Sequence, residues 1–181
     1  MFNRHFIKEL PENLSIGSSI KLANTRVIKL SKGLTVKGTL DLRDSKITEL
    51  PKGLTVSSLC LSGTSITELP EDLSIRINLD LRNTYISKLP KSLTVSSLCL
   101  SGTSITELPE DLSIRINLDL RDSKIAELPK GFSIKGNLDL RDSKIAELPE
   151  GLRVAGYIYL NNPDIIIPDD IVIKRHINIL S

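Results

Sequence analysis

The stretch Leu54–Arg82 recurs letter for letter as Leu93–Arg121, and that copy sits inside a shorter period running along the whole chain. Reading from each L-x-L pair gives Leu40, Leu59, Leu79, Leu98, Leu118 and Leu138, at spacings of 19, 20, 19, 20 and 20 residues. A fixed period this short specifies a stacked repeat protein, in which each unit buries its apolar face only against its neighbours. It also directs the functional question to surfaces rather than pockets.

One unit, Val56 to Leu73, reads L-x-x-L-x-L-x-x-T-x-I-x-x-L-P-x-x-L with valine in the first slot. Leu59 and Leu61 are two apart, so both side chains fall on one face of a short strand. Ile66, Leu69 and Leu73 fill the interior as the chain turns back. The proline that follows, as at Pro51, Pro70, Pro90, Pro109, Pro129 and Pro149, fixes φ and removes a donor, which ends a strand and discourages a helix. Gly53, Gly131 and Gly151, two residues on, favour a tight return. The returning arc is too short for a helix and is expected to be extended or 3₁₀. Nine short strands are expected side by side and parallel, centred on Ile20–Leu22, Leu40–Leu42, Leu59–Leu61, Leu79–Leu81, Leu98–Leu100, Leu118–Leu120, Leu138–Leu140, Ile158–Leu160 and Ile177–Ile179.

With 181 residues, 25% of them charged, and a formal net charge of +2, the chain reads as a single domain over residues 1–181. Neither sign of charge dominates, so overall electrostatics does not mark it for nucleic acid or anionic lipid. No apolar run approaches the roughly 18 residues of a membrane span. Met1 to Phe6 lacks the long apolar core and cleavage site of a secretory signal. Cys60 and Cys99 hold the same slot two strands apart, which puts their Cα atoms roughly 10 Å from each other. That is beyond the ~7 Å reach of a disulfide, so both are expected to be free thiols in a reducing compartment.

These residues resemble a leucine-rich repeat, specifically the short bacterial LPX type found in effectors delivered by type III secretion systems. The resemblance runs from about Ile7 to Ile179 and implies a solenoid with a curved parallel sheet. It further implies a bacterial cytoplasmic protein exported into a host cell by a route without a signal peptide. Two departures stand out. The usual ladder asparagine is replaced by Thr25, Ser45, Thr64, Thr84, Thr103, Ser123 and Ser143; a hydroxyl donates one hydrogen bond where an amide donates two, so a thinner ladder is expected, with more turn carbonyls left to water. Such effectors also carry a helical N-terminal cap, and some a C-terminal ubiquitin-ligase domain with a catalytic cysteine. Here Phe2, Ile7, Leu10 and Pro11 are already in phase, the end is strand-like at Ile177–Ile179, and neither cysteine lies in an active-site-like loop. Irregular caps over about residues 1–17 and 163–181 are the expectation, with Pro163 and Pro168 blunting the last edge; pairing of uncapped ends between molecules is the alternative.

Function then rests on the concave face. Between the paired leucines the slot holds Asp41, Cys60, Asp80, Cys99, Asp119, Asp139, Tyr159 and Asn178; after the second leucine it holds Arg43, Ser62, Arg82, Ser101, Arg121, Arg141, Asn161 and Leu180. One reading has these charges neutralising each other across strands, each exposed pair contributing about 0–1 kcal/mol. The other has a bidentate-capable arginine array docking a protein. Tyrosine and arginine are over-represented at binding hot spots, and Tyr157 and Tyr159 should project beside Asp139 and Arg141. The candidate partner-binding residues are therefore Asp80, Arg82, Asp119, Arg121, Asp139, Arg141, Tyr157 and Tyr159. Tyr85 extends the same surface along its edge.

Enzyme signatures are absent. His5 and His176 belong to opposite terminal repeats, and no catalytic triad order, phosphate loop or zinc spacing appears. Glu68, Glu107, Glu127 and Glu147 recur in one slot on the solvent side of the return arc, whereas paired catalytic carboxylates need a cleft. No enzyme activity, cofactor, metal, nucleic acid or membrane span is expected. The functional expectation is protein–protein recognition, set against a self-assembling structural repeat or the recognition fragment of a larger enzyme.

Overall fold

The computed structural model describes residues 10–179. They wind into a stack of coils that is all strand and turn, without helix among the described residues. The strands are β1 (Ser15–Ile16), β2 (Ile20–Lys21), β3 (Thr35–Asp41), β4 (Thr55–Cys60), β5 (Ser74–Asp80), β6 (Thr94–Cys99) and β7 (Ser113–Asp119). They continue with β8 (Ser133–Ile134), β9 (Leu138–Asp139), β10 (Arg153–Val154), β11 (Ile158–Leu160), β12 (Val172–Ile173) and β13 (Ile177–Ile179). A 10-stranded parallel sheet runs β1-β3-β4-β5-β6-β7-β9-β11-β13, with β2 also on β3. All nine expected L-x-L strands lie in it.

A second ladder was not foreseen. The residues just after the first leucine of each coil, such as Thr55–Val56 and Ser74–Ile75, also pair in parallel, and at the far end β12-β10-β8 form a separate 3-stranded sheet. Between the two ladders lies a bulge that absorbs the alternation of coil length. Val36 pairs with Val56, twenty on, while Thr39 pairs with Ser58, nineteen on; Val56 pairs with Ile75, nineteen on, while Ser58 pairs with Asn78, twenty on. The extra residue of a longer coil is therefore expelled at one place and leaves both inward faces in register.

One continuous apolar core results, with Leu40, Leu59, Leu98 and Leu138 fully buried along one row and Ile47, Ile66, Ile86, Ile105 and Ile125 along another. The return arc is extended rather than 3₁₀ and closes on a tight turn, as where the Leu73 N–H donates to the Pro70 carbonyl at 3.1 Å. Gly53, Gly131 and Gly151 sit there at φ of 71°, 68° and 70°, a left-handed conformation that glycine adopts at least cost.

The hydroxyl row does something other than build a ladder between coils. Thr64 Oγ1 donates to the Leu61 carbonyl in its own turn at 2.6 Å, and Thr25, Thr84, Thr103 and Ser143 repeat the bond. The hydroxyls of Ser45 and Ser123 are buried without a partner. Coils are tied at this corner by backbone, the Asp44 N–H reaching the Ser62 carbonyl at 3.0 Å and the Gly63 N–H the Arg82 carbonyl at 3.0 Å. The turn carbonyls expected to face water are thus partly engaged. A side-chain ladder does exist, one residue before the L-x-L pair: Asn117 Oδ1 accepts from the Asn137 N–H and Asn137 Oδ1 from the Tyr157 N–H, each at 2.9 Å.

The expected irregular C-terminal cap is a regular coil over its described part, since β12 and β13 continue both ladders. At the other end β1 and β2 are already regular; Met1 to Phe6, with Phe2 and His5, and Leu180 lie outside the described residues.

Leu118→Ala empties a site that is 1% exposed and is expected to cost about 2–5 kcal/mol in urea unfolding. Gly136→Ala is expected to destabilise as well, by roughly 1–3 kcal/mol, because a Cβ there would fall on the Ile116 carbonyl oxygen.

Candidate functional site: the concave face

The residue between two inward leucines must point out of the sheet, and so must the residue after the second. Aspartate and arginine in those two slots are consequently neighbours on one strand, and they close on each other. In coils with the D-L-R sequence, Arg Nε donates to Asp Oδ1 at 2.8–2.9 Å and Arg Nη2 to Asp Oδ2 at 2.5–2.7 Å. The arginine's own backbone N–H adds a third bond to Oδ1 at 3.1–3.3 Å. The pairs are Asp41–Arg43, Asp80–Arg82, Asp119–Arg121 and Asp139–Arg141. Neutralisation, which one of the two sequence readings placed across strands, occurs within each strand; the cross-strand contact is Arg121 Nε to Asp139 Oδ2 at 3.6 Å, where two such coils are adjacent.

The carboxylates sit low in the sheet and the guanidiniums stand higher, with side-chain exposures of 17% and 41% at Asp119 and Arg121. The side-chain bonds from Arg43 hold the Asp41 carboxyl below the usual range against the opposing effect of burial. At Asp119 burial is the largest single influence and pushes upward, yet the bonds and charge of Arg121 together outweigh it and the carboxyl is lowered.

Cys60 and Cys99 are free thiols set between these pairs, with Asp80 in register between them. Burial first, then the Asp119 and Asp80 carboxylates, push the Cys99 thiol to about 11; burial, Asp41 and Asp80 raise Cys60 in the same way. Neither is a poised nucleophile at neutral pH.

At the far end the tyrosines come together as expected. Tyr157 and Tyr159 are half-buried with ring centroids 6.0 Å apart, and the Arg141 guanidinium lies over the Tyr159 ring at 5.6 Å. The corner is larger than the sequence reading: Arg175 lies over Tyr157 at 5.4 Å and His176 is 6.4 Å from the same ring. The nineteen-residue step from Tyr157 to His176 was the available signal. Asp80, Arg82, Asp119, Arg121, Asp139, Arg141 and Tyr159 share one continuous surface, with Tyr157 flanking it; Tyr85 is well exposed but on the far side of the hydroxyl turn. Glu68, Glu107, Glu127 and Glu147 are exposed on the return arc. No helix among the described residues is long and apolar enough to cross a membrane.

Compared with models of known protein families, with characterised proteins and with solved structures, the chain matches none of them. The fold itself defines the class: a parallel β-solenoid of the leucine-rich-repeat kind, with a charged, internally paired concave sheet.

A carboxyl whose native pKa lies below its unfolded value near 3.9 contributes stability that is fully present above about pH 3.9 and lost as pH falls through the native value. Urea unfolding from pH 5 downward should therefore show an acid loss that is shallower in Asp41→Asn/Asp119→Asn. Iodoacetamide should alkylate Cys99 slowly at pH 8, with Asp80→Asn speeding reaction at both cysteines by removing their shared carboxylate.

Proposed function

We propose that the concave face is a protein-recognition surface, used by a bacterial effector-type protein on a host protein. The observation that carries this reading is the row of self-paired Asp–Arg units ending in the Arg141–Tyr159 stack. Each guanidinium is already held by two side-chain bonds and a backbone-anchored carboxylate, so docking immobilises little additional rotamer freedom. Each pair is close to neutral, which lowers the cost of desolvating it, and the outward guanidinium edges keep donors for a partner's carboxylates and carbonyls. Aromatic and arginine side chains side by side are the composition of an interface centre.

Self-assembly is the second reading. It draws on β13, which has one open edge among the described strands and leaves Ile179 51% exposed. It requires a mass that rises with concentration and responds to substitution at Asn178.

The separating experiment is capture from eukaryotic host lysate by the wild type and by Arg121→Ala/Arg141→Ala/Tyr159→Ala. Each substitution is expected to change unfolding stability by under about 1 kcal/mol, while a partner retained by the wild type is lost by the variant. Identical capture by both proteins makes the concave charges scaffold.

A further inference from the structure

The net charge of +2 conceals a segregation that appears only once the coils are stacked. The bulge between the two ladders pushes three consecutive side chains outward, as in β5, where Arg76, Ile77 and Asn78 are all exposed between buried Ile75 and Leu79. One position of this ridge holds Lys37, Arg76, Arg115, Lys135 and Lys174, with Ser57, Ser96 and Ala155 in the coils between. Arg153 and Arg175 flank that row, and no aspartate or glutamate occupies any position of the ridge between the two inward rows. None of these cations enters an ion pair among the described residues. At ~4.8 Å per coil the row from Lys37 to Lys174 is roughly 34 Å long.

Two features give the ridge a shape as well as a sign. In the two coils that carry Arg76 and Arg115 the expelled residue is Ile77 or Ile116, 47% and 49% exposed beside its arginine. The shorter coil between them lacks that residue, and β5 and β6 pair only from Asn78↔Ser97 onward. What remains is a notch of about 400 Å³ lined by Arg76, Arg115, Ser74, Ser92 and Thr94. Asp111 at its rim is turned onto the Ser92 hydroxyl at 2.6 Å. A second notch, of about 280 Å³, opens among Lys135, Arg153 and Lys174.

We propose that this ridge docks on an anionic phospholipid bilayer, with the Arg76–Arg115 notch taking a headgroup phosphate. Unpaired cations along the ridge supply attraction to the surface, two guanidiniums and the Ser74 hydroxyl match phosphate oxygens, and Ile77 and Ile116 enter the acyl boundary. A single-stranded nucleic acid would instead need stacking platforms along the row, and the described ridge offers aromatic rings only at Tyr157 and His176 in its last two coils, with none from Lys37 to Lys135. The ridge meets the concave face at Tyr157 and Arg175, but Arg76, Arg115, Ile77 and Ile116 lie outside the recognition residues, so the proposal stands or falls on them independently of the recognition reading.

The test is co-sedimentation of the full chain with phosphatidylcholine vesicles containing about 30% phosphatidylserine, alongside pure phosphatidylcholine vesicles and a fluorescent single-stranded oligonucleotide. Binding to the anionic vesicles alone is expected. With each surface cation contributing about fivefold, Arg76→Ala/Arg115→Ala should bind roughly twenty-five-fold more weakly. Ile77→Ser/Ile116→Ser should also weaken binding, while Lys46→Ala/Lys144→Ala, which removes equal charge from the other side of the stack, should leave it within about twofold. The proposal is overturned by absence of vesicle binding, by equal losses in the two charge-deleting variants, by undiminished binding of the isoleucine variant, or by tighter binding of the oligonucleotide than of the vesicles.

Discussion

Everything in this molecule depends on the parallel hydrogen bonding of one coil to the next. A single coil of nineteen or twenty residues cannot bury its own leucines, and its strand has no partner within itself. Stacking solves both problems together: Leu61 N–H reaches the Asp80 carbonyl, Leu81 N–H the Cys99 carbonyl and Leu100 N–H the Asp119 carbonyl, while Leu59, Leu79 and Leu98 close over one another. The corner that follows must turn the chain away from the sheet at once. It does so through a left-handed residue, held by Asn24, Asp44, Gly63, Asn83, Gly102, Asp122 and Asp142, the residue types that tolerate that conformation. The hydroxyl next in line then closes the turn on its own coil.

The one-residue difference between coils has consequences on both exposed surfaces. Because the bulge takes up the extra residue, the inward rows never lose register, and the core is indifferent to coil length. The surface is not. The nineteen-residue coils that begin at Leu54 and Leu93 carry cysteine and serine on the concave face where their neighbours carry aspartate and arginine, and they lack the extra ridge residue that Gly38, Ile77 and Ile116 supply in the adjoining coils. Alternation of coil length thus writes alternation onto two faces at once.

Much of this was legible in the sequence because the signals are periodic. The L-x-L pairs, the proline after the fourth apolar residue and the glycine two positions later each recur at one phase, so the nine L-x-L strands, their direction and the free cysteines follow from counting. What did not follow depends on which of several neighbours a side chain chooses. Asp119 can reach Arg121 on its own strand or a charge on the next, and only geometry shows that the within-strand bidentate bond prevails. Thr64 can donate to an adjacent coil or to Leu61, and the tighter turn selects Leu61. The valine slot resembles a lone core position until its pairing with the next coil is seen. The basic ridge was hidden for a different reason: a net charge averages over faces, and the acids of the return arc cancel cations they never approach.

The functional account therefore turns on a rigid charged surface presented by an insensitive core. Its most direct test is a nitrogen-15 NMR spectrum of the arginine Nε–H region in the free protein. The account predicts separate, slowly exchanging Nε–H signals for Arg43, Arg82, Arg121 and Arg141, each bonded to its aspartate, with Arg26, Arg76, Arg115 and Arg153 in a solvent-averaged cluster. Collapse of all the arginines into that cluster would mean that the concave pairs do not persist in solution, and would contradict the preorganised surface on which the recognition reading stands.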